Sequence, residues 1–410
     1  MYNLAGFISI SLLILITHLM ALRWPAVSKI LYAALAVRFL FLFINNYIFY
    51  LPDGDMDAKS FERFAWELYA QNGFDFVIST FNGPETYFLS KLIAFFYVLF
   101  GRSMLMAQSI SVFFGIASVL LGWLLAKKIW DNHTAIKVGW SIALYPTLVS
   151  YSVLTMREVY ISFFLLLAMY GIVNWVRQRS YKSIVVVIIG FIGATFFHGS
   201  SIIGLLVFLF LITLDSFKKT FKLLLMKRIN LKILIIVIFS ITIFGLYFTN
   251  KISLPYLQTF NKSINPSYLK NEVINLKVKG DAAYPEWTKI DANIEFLYKI
   301  PIRTLYFLFS PFPWDVKKLS HLVGLLDSFF YMILAYLIFQ NRKVIWKDPA
   351  LRIMLIVLFS YFVIYGVGVG NFGSGIRHRS KFIIELILLA APLIPRFIFS
   401  KKRESRKHLK

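Results

Sequence analysis

Apolar blocks of roughly 15–23 residues, separated by short polar stretches, recur along the whole chain and leave few alternatives for its fold. A helix needs about 20 apolar residues to cross the hydrocarbon core of a bilayer. Such a helix also satisfies its own backbone hydrogen bonds, which lipid cannot do for it. Hydrophobic residues make up 59% of the 410 residues, against about 45–50% in soluble domains. The sequence therefore predicts an all-α polytopic membrane protein in which residues 1–410 form a single integral membrane domain.

The distribution of basic residues sets the predicted topology. Short loops rich in Lys and Arg remain on the cytoplasmic side of a membrane, and no Lys or Arg precedes Arg23. We therefore expect the N-terminus outside, the C-terminus inside and a basic cytoplasmic tail at 400–410. About eleven transmembrane helices satisfy this alternation, at 4–21, 28–50, 106–126, 138–155, 159–176, 183–197, 199–214, 233–249, 321–340, 350–369 and 382–399.

Two large loops, 51–105 and 250–320, lie outside in this topology and are expected to be periplasmic. The first loop contains the apolar block 86–100, which is short and includes Lys91. Counting that block as a crossing would place every later basic cluster outside, against the charge rule. We therefore interpret 86–100, and the similar block 293–310, as interfacial helices.

The chain has a formal net charge of +24. In a soluble protein this excess would suggest nucleic acid, but much of it lies in loops predicted to face the cytoplasm, so no nucleic-acid partner is expected. Binding of a phosphorylated lipid is a second explanation. The chain contains no cysteine, which excludes disulfides, thiolate catalysis and thiolate metal sites.

Three alternating carboxylates, Asp53, Asp55 and Asp57, open the first outside loop and precede an amphipathic helix pattern. A partly desolvated carboxylate at a membrane surface suits general-base chemistry toward a sugar hydroxyl. The alternative is structural: Asp53-Gly54 forms a turn and Asp57 caps the following helix.

Two further outside corners carry polar residues. Arg157-Glu158 are predicted between two helices, where Arg157 would contact a substrate phosphate and Glu158 a hydroxyl or a metal; an interfacial ion pair is the alternative. His198, in the turn His198-Gly199-Ser200 between the helices 183–197 and 199–214, is a candidate for substrate contact or a structural histidine. Arg38 lies deep in the second helix and needs a partner inside the bundle.

The last outside loop, GVGVGNFGSGIRHRSKF, combines five glycines with Arg377, His378, Arg379 and Lys381. Arginine binds phosphate oxygens through two donors, and glycine-rich turns expose backbone N–H groups to anions. The segment therefore predicts a phosphate or pyrophosphate site. The alternative is a snorkelling cluster that binds lipid headgroups.

Trp314 lies in Ser310-Pro311-Phe312-Pro313-Trp314-Asp315, whose prolines stop the preceding helix. Tryptophan suits the headgroup level of a membrane. We interpret this segment as shaping a groove, with Trp314 as a further candidate for substrate contact.

Roughly residues 30–215 resemble the GT-C superfamily of membrane glycosyltransferases, which take sugars from polyprenyl-phosphate donors. The shared features in chain order are Asp57-Ala58 before an amphipathic helix, then Pro84, Tyr87 and Gly101, then Pro146, and then Arg157-Glu158. The C-terminal Gly-Asn-Phe-Gly and Arg-His-Arg segment is also similar to proteins of surface-polysaccharide (O-antigen) assembly, including repeat-unit polymerases. The chain departs from the GT-C pattern in an additional first helix and in an aspartate without an unambiguous motif. The choice of base between Asp55 and Asp57 therefore stays open.

The resemblance implies an inverting glycosyltransferase of the bacterial inner membrane. Its partners would be membrane lipids, a polyprenyl-phosphate-linked (or pyrophosphate-linked) sugar donor and a glycan or lipid-linked acceptor at the outer face. Arg377 and Arg379, together with Arg157, would hold the phosphate, and one of the two aspartates would deprotonate the acceptor.

No cofactor is required by this chemistry, and a divalent metal is compatible with it but not indicated by a ligand cluster in the sequence. A repeat-unit polymerase is a chemically similar alternative. A flippase or transporter is the third, although such proteins bury ionisable residues near the midplane and often contain repeats. Here only Arg38 is clearly deep and no repeat is evident.

Overall fold

The computed structural model describes residues 4–81, 83, 85–225, 238, 242, 280–291, 294–318 and 321–395. Helices dominate these residues, and the only β-structure among them is one isolated bridge between Ala283 and Asn371. The predicted helix 233–249 (apart from two single positions), the loop residues 250–279, Pro84 and the tail 400–410 lie outside the described residues.

Apolar side chains on the facing sides of the helices form one continuous core. The α-helices of the described residues, numbered in chain order, are α1 (Leu4–Arg23), α2 (Ser28–Tyr47), α3 (Asp57–Phe64), α4 (Phe74–Ser79), α5 (Phe88–Phe100), α6 (Met104–Ile129), α7 (Asn132–Leu144), α8 (Pro146–Val153), α9 (Glu158–Gln178), α10 (Tyr181–Phe197), α11 (Ile202–Leu225), α12 (Glu295–Phe309), α13 (His321–Gln340), α14 (Arg342–Lys347), α15 (Pro349–Gly368), α16 (Phe372–Arg379) and α17 (Ile383–Ala390).

Seven helical stretches in the described residues are long and apolar enough to cross a membrane. They are Leu4–Arg23, Pro25–Tyr47, Met104–Ile129, Glu158–Gln178, Gly199–Lys218, His321–Gln340 and Pro349–Gly368. The prediction of an all-α, multi-pass membrane protein is confirmed. The total of eleven crossings and their orientation stay predictions.

The corners between helices gather at two ends of the bundle. At one end, Lys137 donates to the carbonyl oxygens of Pro392 (2.9 Å) and Ile394 (2.8 Å), and Trp130 donates to that of Leu388 (3.0 Å). Arg177 and Asp348 form an ion pair of 3.3 Å at the same end. This end collects the basic corners that the charge pattern assigns to the cytoplasm.

The other end collects the polar corners. The Thr155 hydroxyl donates to the carbonyl of Ala58 (2.6 Å), and Arg157 donates to that of Phe197 (3.4 Å). The 21-residue helix α9 separates the two ends, which at 1.5 Å per residue is about 30 Å. The polar corners therefore lie about one hydrocarbon thickness from the basic ones.

Two predicted spans have different bounds in the structure. The predicted helix 138–155 is divided into α7 and α8, because Tyr145 is extended (φ −64°, ψ 119°). A residue before proline avoids the helical region, and here Pro146 follows.

The predicted glycine-rich loop before the last span is wrong. Asn371 accepts a hydrogen bond from the backbone N–H of Ser374 (2.7 Å) and caps α16, which contains Gly373 and Gly375. A 3₁₀ turn over Ser380–Phe382 then leads into α17. The helical segment therefore begins ten residues before the predicted start at 382, and the basic side chains project from it.

Small residues let α9 and α10, which follow each other in the chain, pack closely. A Cβ atom on Gly190 would lie only 2.4 Å from the backbone nitrogen of Ala168, and one on Gly171 only 2.7 Å from that of Val187. Glycine at these positions allows a backbone approach that is typical of membrane helix pairs.

The two helices interpreted as interfacial are fixed at the polar end by hydrogen bonds from charged side chains. In the first loop, Arg102 donates to both carboxylate oxygens of Glu62 (2.9 and 3.0 Å), which joins α3 to the end of α5. On α12, Arg303 donates to the carbonyl oxygens of Gly366, Val367 and Val369, at 3.2, 3.0 and 2.8 Å. These carbonyls end α15 and have no helical partner of their own.

Candidate functional site

The turn after α2 positions the first carboxylate. The backbone N–H of Gly54 donates to the carbonyl of Leu51 (2.8 Å), and Asp53 adopts a left-handed φ of 64°. This conformation is uncommon for residues other than glycine and often occurs at functional sites. The carboxylate of Asp53 accepts a hydrogen bond from the Tyr151 hydroxyl on α8 (2.8 Å). The turn therefore holds Asp53 against the bundle.

Arg377 connects the first outside loop to the start of α9. Its Nη1 donates to the carboxylate of Asp57, the first residue of α3. Its Nε lies 3.7 Å from Oε1 of Glu158, and Nζ of Lys381 lies 3.9 Å from the same oxygen. Glu158 is only 2% exposed. The structure thus brings together residues from three distant parts of the sequence.

Arg157 is the third cation at this position. Its Nη1 donates only to the backbone carbonyls of Thr86 (3.3 Å) and Phe197 (3.4 Å), and its guanidinium lies 5.2 Å from the ring centroid of Phe61. The side chain is half-buried. Among the described residues no carboxylate lies within ion-pair distance of Arg157. We refer to Asp53, Asp57, Arg157, Glu158, Arg377 and Lys381 as the ion cluster.

Two histidines lie behind the ion cluster. His198 ends α10, and its Nδ1 lies 2.7 Å from the Ser200 hydroxyl and 3.2 Å from the Tyr365 hydroxyl. The His378 ring is 5.5 Å from that of His198, centroid to centroid. Nδ1 of His378 accepts a hydrogen bond from Nζ of Lys381 (2.7 Å). His378 therefore fixes the position of Lys381, and His198 packs against the His378 ring.

Electrostatics distinguish the carboxylates. Burial raises the pKa of Asp53, and the neighbouring charges of Glu158 and Asp57 raise it further. The hydrogen bond from Tyr151 and the charge of Arg377 oppose this shift without cancelling it. A carboxylate with a raised pKa accepts a proton more readily, which suits a general base.

The cations respond to burial in different ways. Burial lowers the pKa of Lys381 to about 7, against the attraction of Glu158 and with the help of Arg157 and Arg377. Burial also lowers the pKa of Arg157, yet a guanidinium remains protonated near neutral pH. For Arg377 burial lowers the pKa, but Glu158 and the aspartates outweigh it and raise the pKa overall.

Burial keeps both histidines neutral. It lowers the pKa of His198 and of His378 well below the usual value, and the positive charges of Lys381 and Arg377 add to the effect. Each ring therefore offers one donor and one acceptor rather than a charge.

A side cavity of about 300 Å³ adjoins the ion cluster and shares Asp53 with it. It lies between α8, the first turns of α13, and α16. Its wall on α8 is polar and includes Thr147, Ser150 and Tyr151, while α13 contributes Asp327.

The structure gives Arg379 a different environment from Arg377. Arg379 is fully buried and donates to Asp327 (2.9 Å), to the Ser328 hydroxyl (2.9 Å) and to the carbonyls of Leu308 (3.0 Å) and Ser310 (2.6 Å). These partners occupy all three guanidinium nitrogens. The predicted phosphate contact of Arg379 is therefore not realised, because its donors already fix α12, α13 and α16 to one another.

We expect Arg379→Met to lower stability by about 3–5 kcal/mol, because it leaves the buried carboxylate of Asp327 without its partner. The double variant Arg379→Met/Asp327→Leu should recover most of this loss, since it removes both charges. The measurement is the midpoint of thermal unfolding in detergent. A single variant as stable as the wild type would contradict this role.

Four other predicted site residues lie elsewhere or act otherwise. Asp55 forms an exposed ion pair with Lys59 (2.6 Å), with 59% of its side chain accessible, and does not join the ion cluster. Trp314 is 71% exposed and stacks on Phe312 at 4.9 Å, in the loop after α12. His198 and His378 support Lys381 from inside the bundle.

Sequence reasoning missed Asp327, Tyr151 and Tyr365. Asp327 carried a usable signal, because an acidic residue inside an apolar span is a functional or structural candidate by default. The tyrosines carried none, since aromatic residues are common throughout this chain's apolar blocks.

Arg38 finds its partners inside the bundle. Nη1 donates to the carbonyls of Ala34 (3.2 Å) and Ala143 (3.3 Å). Arg38 also lines a void of about 10 Å³ together with Glu158 and Ser162, which is about the smallest void that can hold one water molecule. Gly115 makes room for this guanidinium, because a Cβ there would lie 2.7 Å from Nε.

No three His, Asp or Glu side chains converge as a metal-ligand set within the described ranges. No protein family, curated protein or solved structure matches this chain. The resemblance to the GT-C superfamily therefore stays a prediction.

Proposed function

We propose that the chain is a membrane glycosyltransferase that moves a sugar from a polyprenyl-phosphate-linked donor to a hydroxyl of a glycan or lipid-linked acceptor, at the outer face of a bacterial inner membrane. One observation carries the proposal. Arg377 and Lys381 lie 3.7 and 3.9 Å from the same oxygen of Glu158, Arg157 adds a third charge to this group, and Arg377 also acts on Asp53, a half-buried carboxylate that lines the side cavity. This arrangement suits an anionic leaving group on one side and an acceptor hydroxyl on the other.

Asp53 acts as the general base in this reaction. Asp53 takes the proton of the acceptor hydroxyl, whose oxygen attacks the anomeric carbon from the side opposite the phosphate. The bond between that carbon and the phosphate oxygen breaks, and its electron pair leaves with the polyprenyl phosphate. The product sugar has the inverted configuration.

The cations stabilise the departing charge. Arg157 has donors that contact only backbone carbonyls at 3.3 and 3.4 Å, so it is the most available of the three. Asp57 and Glu158 orient Arg377 and Lys381 from the other side. Prearranged donors of this kind require little reorganisation during the reaction.

Transfer is expected to decline as the pH rises through about 7, where Lys381 loses its proton. Below this pH the ammonium adds positive charge beside the leaving phosphate, and above it the neutral amine does not. Lys381→Arg should abolish the decline, because arginine stays protonated. The measurement is the transfer rate between about pH 6 and about pH 9, with Lys59→Arg, an exposed residue, as the matched control. An unchanged decline in Lys381→Arg would show that deprotonation of Lys381 does not cause it.

Surface glycan from the native host tests the proposal as a whole. Asp53→Asn and Arg377→Gln should each abolish the glycan product on a gel, while Asp55→Asn should leave it intact. Loss of long ladders with single repeats retained would identify the repeat-unit polymerase, which uses the same leaving group. Loss of every modified form would identify a transferase of single sugars. Normal glycan in both variants would end the proposal.

A further inference from the structure

We propose that the side cavity binds a neutral, polyhydroxylated headgroup carried on an apolar chain, and that this ligand enters from the membrane beside Val323 and Leu326 of α13. The inference deepens the proposed function, since it assigns the chemical class of the acceptor. The volume of the side cavity, about 300 Å³, is at the small end of the range of about 300–1,000 Å³ for small-molecule sites.

The polar wall of the cavity offers acceptors suited to hydroxyl groups. Asp53 and Asp327 lie on it, and each accepts a hydrogen bond from α8: Tyr151 donates to Asp53 (2.8 Å) and Thr147 donates to Asp327. Thr147 and Tyr151 are four residues apart and so share one face of α8, with Ser150 beside them. Carboxylates only accept hydrogen bonds, so they select ligands that donate several.

The charge of the same wall excludes anions. No Lys or Arg is among the residues that line the cavity in the described part of the chain. Arg379 lies behind Asp327, buried and bound to four partners. An anionic headgroup would therefore meet the carboxylate of Asp53 and an Asp327 whose charge Arg379 already pairs, with no Lys or Arg of the described lining to bind it, whereas the phosphate of the donor is better placed among Arg157, Arg377 and Lys381.

The opposite wall is apolar and opens toward lipid. Val323 and Leu326 on α13 line the cavity and are 60% and 62% exposed, on a helix apolar enough to span the membrane. Ile376 completes the wall from α16, and its side chain lies against Gly324, where a Cβ atom would be 2.6 Å from the Ile376 Cδ1. A ligand with an apolar chain can therefore keep that chain in the bilayer while its headgroup lies in the cavity.

The test uses the full chain in phosphatidylcholine nanodiscs and an octyl glucoside that carries a photoactivatable diazirine on its alkyl chain. We expect the label on α13 near Val323 and Leu326. Unlabelled octyl glucoside should compete for it at a concentration at least about tenfold lower than octyl phosphate does, a difference of one decade in affinity. Equal competition by octyl phosphate would overturn the inference, because the cavity would then discriminate only by its apolar wall.

A variant locates the bound headgroup. Ser150→Phe fills the polar wall and should abolish the competed label, whereas Ser9→Phe, at a half-buried serine of α1, should not. A competed label that persists in Ser150→Phe would also overturn the inference. The competition series needs only the wild type, so it decides the question even if Ser150→Phe fails to fold.

The outcome is separable from that of the proposed function, because the probe carries no phosphate and no transfer occurs. Selective binding without any transfer activity would support the cavity and remove the reaction. Transfer activity without selective binding would support the reaction and overturn the assignment of the cavity.

Discussion

Asp53→Asn is expected to lower the rate constant of sugar transfer by about 10²–10⁴-fold, the range typical for loss of a general base. The amide keeps the size of the carboxylate and can still accept the hydrogen bond from Tyr151. It cannot take a proton, so the chemical step slows while binding of the donor changes little. The measurement is single-turnover transfer in vesicles that contain purified protein and the lipid-linked donor extracted from the host.

Asp55→Asn is the matched control for this prediction. Asp55 lies two residues further on in the same loop but is paired with Lys59 at the surface. We expect transfer by this variant within about twofold of the wild type, as for other exposed ion pairs. Loss of activity in Asp55→Asn with retention of activity in Asp53→Asn would show that Asp53 is not the base.

Arg377→Gln is expected to reduce transfer by about 10²–10³-fold, comparable to removing one preorganised donor from an anion site. The guanidinium is the contact between Asp57 and Glu158, and it also lowers the electrostatic cost of placing a phosphate beside three carboxylates. Arg377→Lys keeps the charge but loses the planar pair of donors, so its activity should be intermediate. Both variants are read in the same single-turnover measurement.

Arg63→Gln controls for loss of a surface arginine. Arg63 lies on α3 near the same loop, with a long contact of 3.9 Å to Glu67 and 57% of its side chain exposed. The Arg63→Gln variant should transfer the sugar at the rate of the wild type. If Arg377→Gln unfolds in detergent while Arg377→Lys folds and is fully active, the residue is structural and its assigned role is wrong.

Much of the architecture was predictable because membranes constrain sequences strongly. The apolar blocks predicted an all-α membrane protein, and the structure confirms this in its described residues. Loop charge separated the corners into two groups, and the structure gathers each group at its own end of the bundle. The same charge rule places Asp57, Glu158 and Arg377 on one side of the membrane.

Local backbone geometry, which the sequence does not display, determines the directions of Arg377 and Arg379. In a loop over 371–381, Arg377 and Arg379 would be expected to have equivalent surroundings. In a helix of 3.6 residues per turn, two residues apart means about 200° around the axis, so the two side chains point in nearly opposite directions. Arg379 consequently enters the core and Arg377 faces the polar corners.

The same reason explains the aspartates of the first loop. Alternation alone suggests that Asp53, Asp55 and Asp57 are equivalent. The turn at Asp53, with its left-handed φ of 64°, and the start of α3 at Asp57 place these two toward the bundle and Asp55 toward the exterior. Turn geometry of this kind depends on tertiary contacts, here the hydrogen bond from Tyr151, that the sequence does not display.

The central claim is that Arg157, Arg377 and Lys381 bind a lipid-linked phosphate beside the base Asp53. Equilibrium binding of an unglycosylated polyprenyl phosphate to the purified protein in nanodiscs tests it most directly. We expect saturable binding that weakens at least about tenfold in Arg377→Gln and is unchanged in Asp53→Asn and Arg63→Gln. Equal binding by the wild type and Arg377→Gln, or no saturable binding by the wild type, would contradict it.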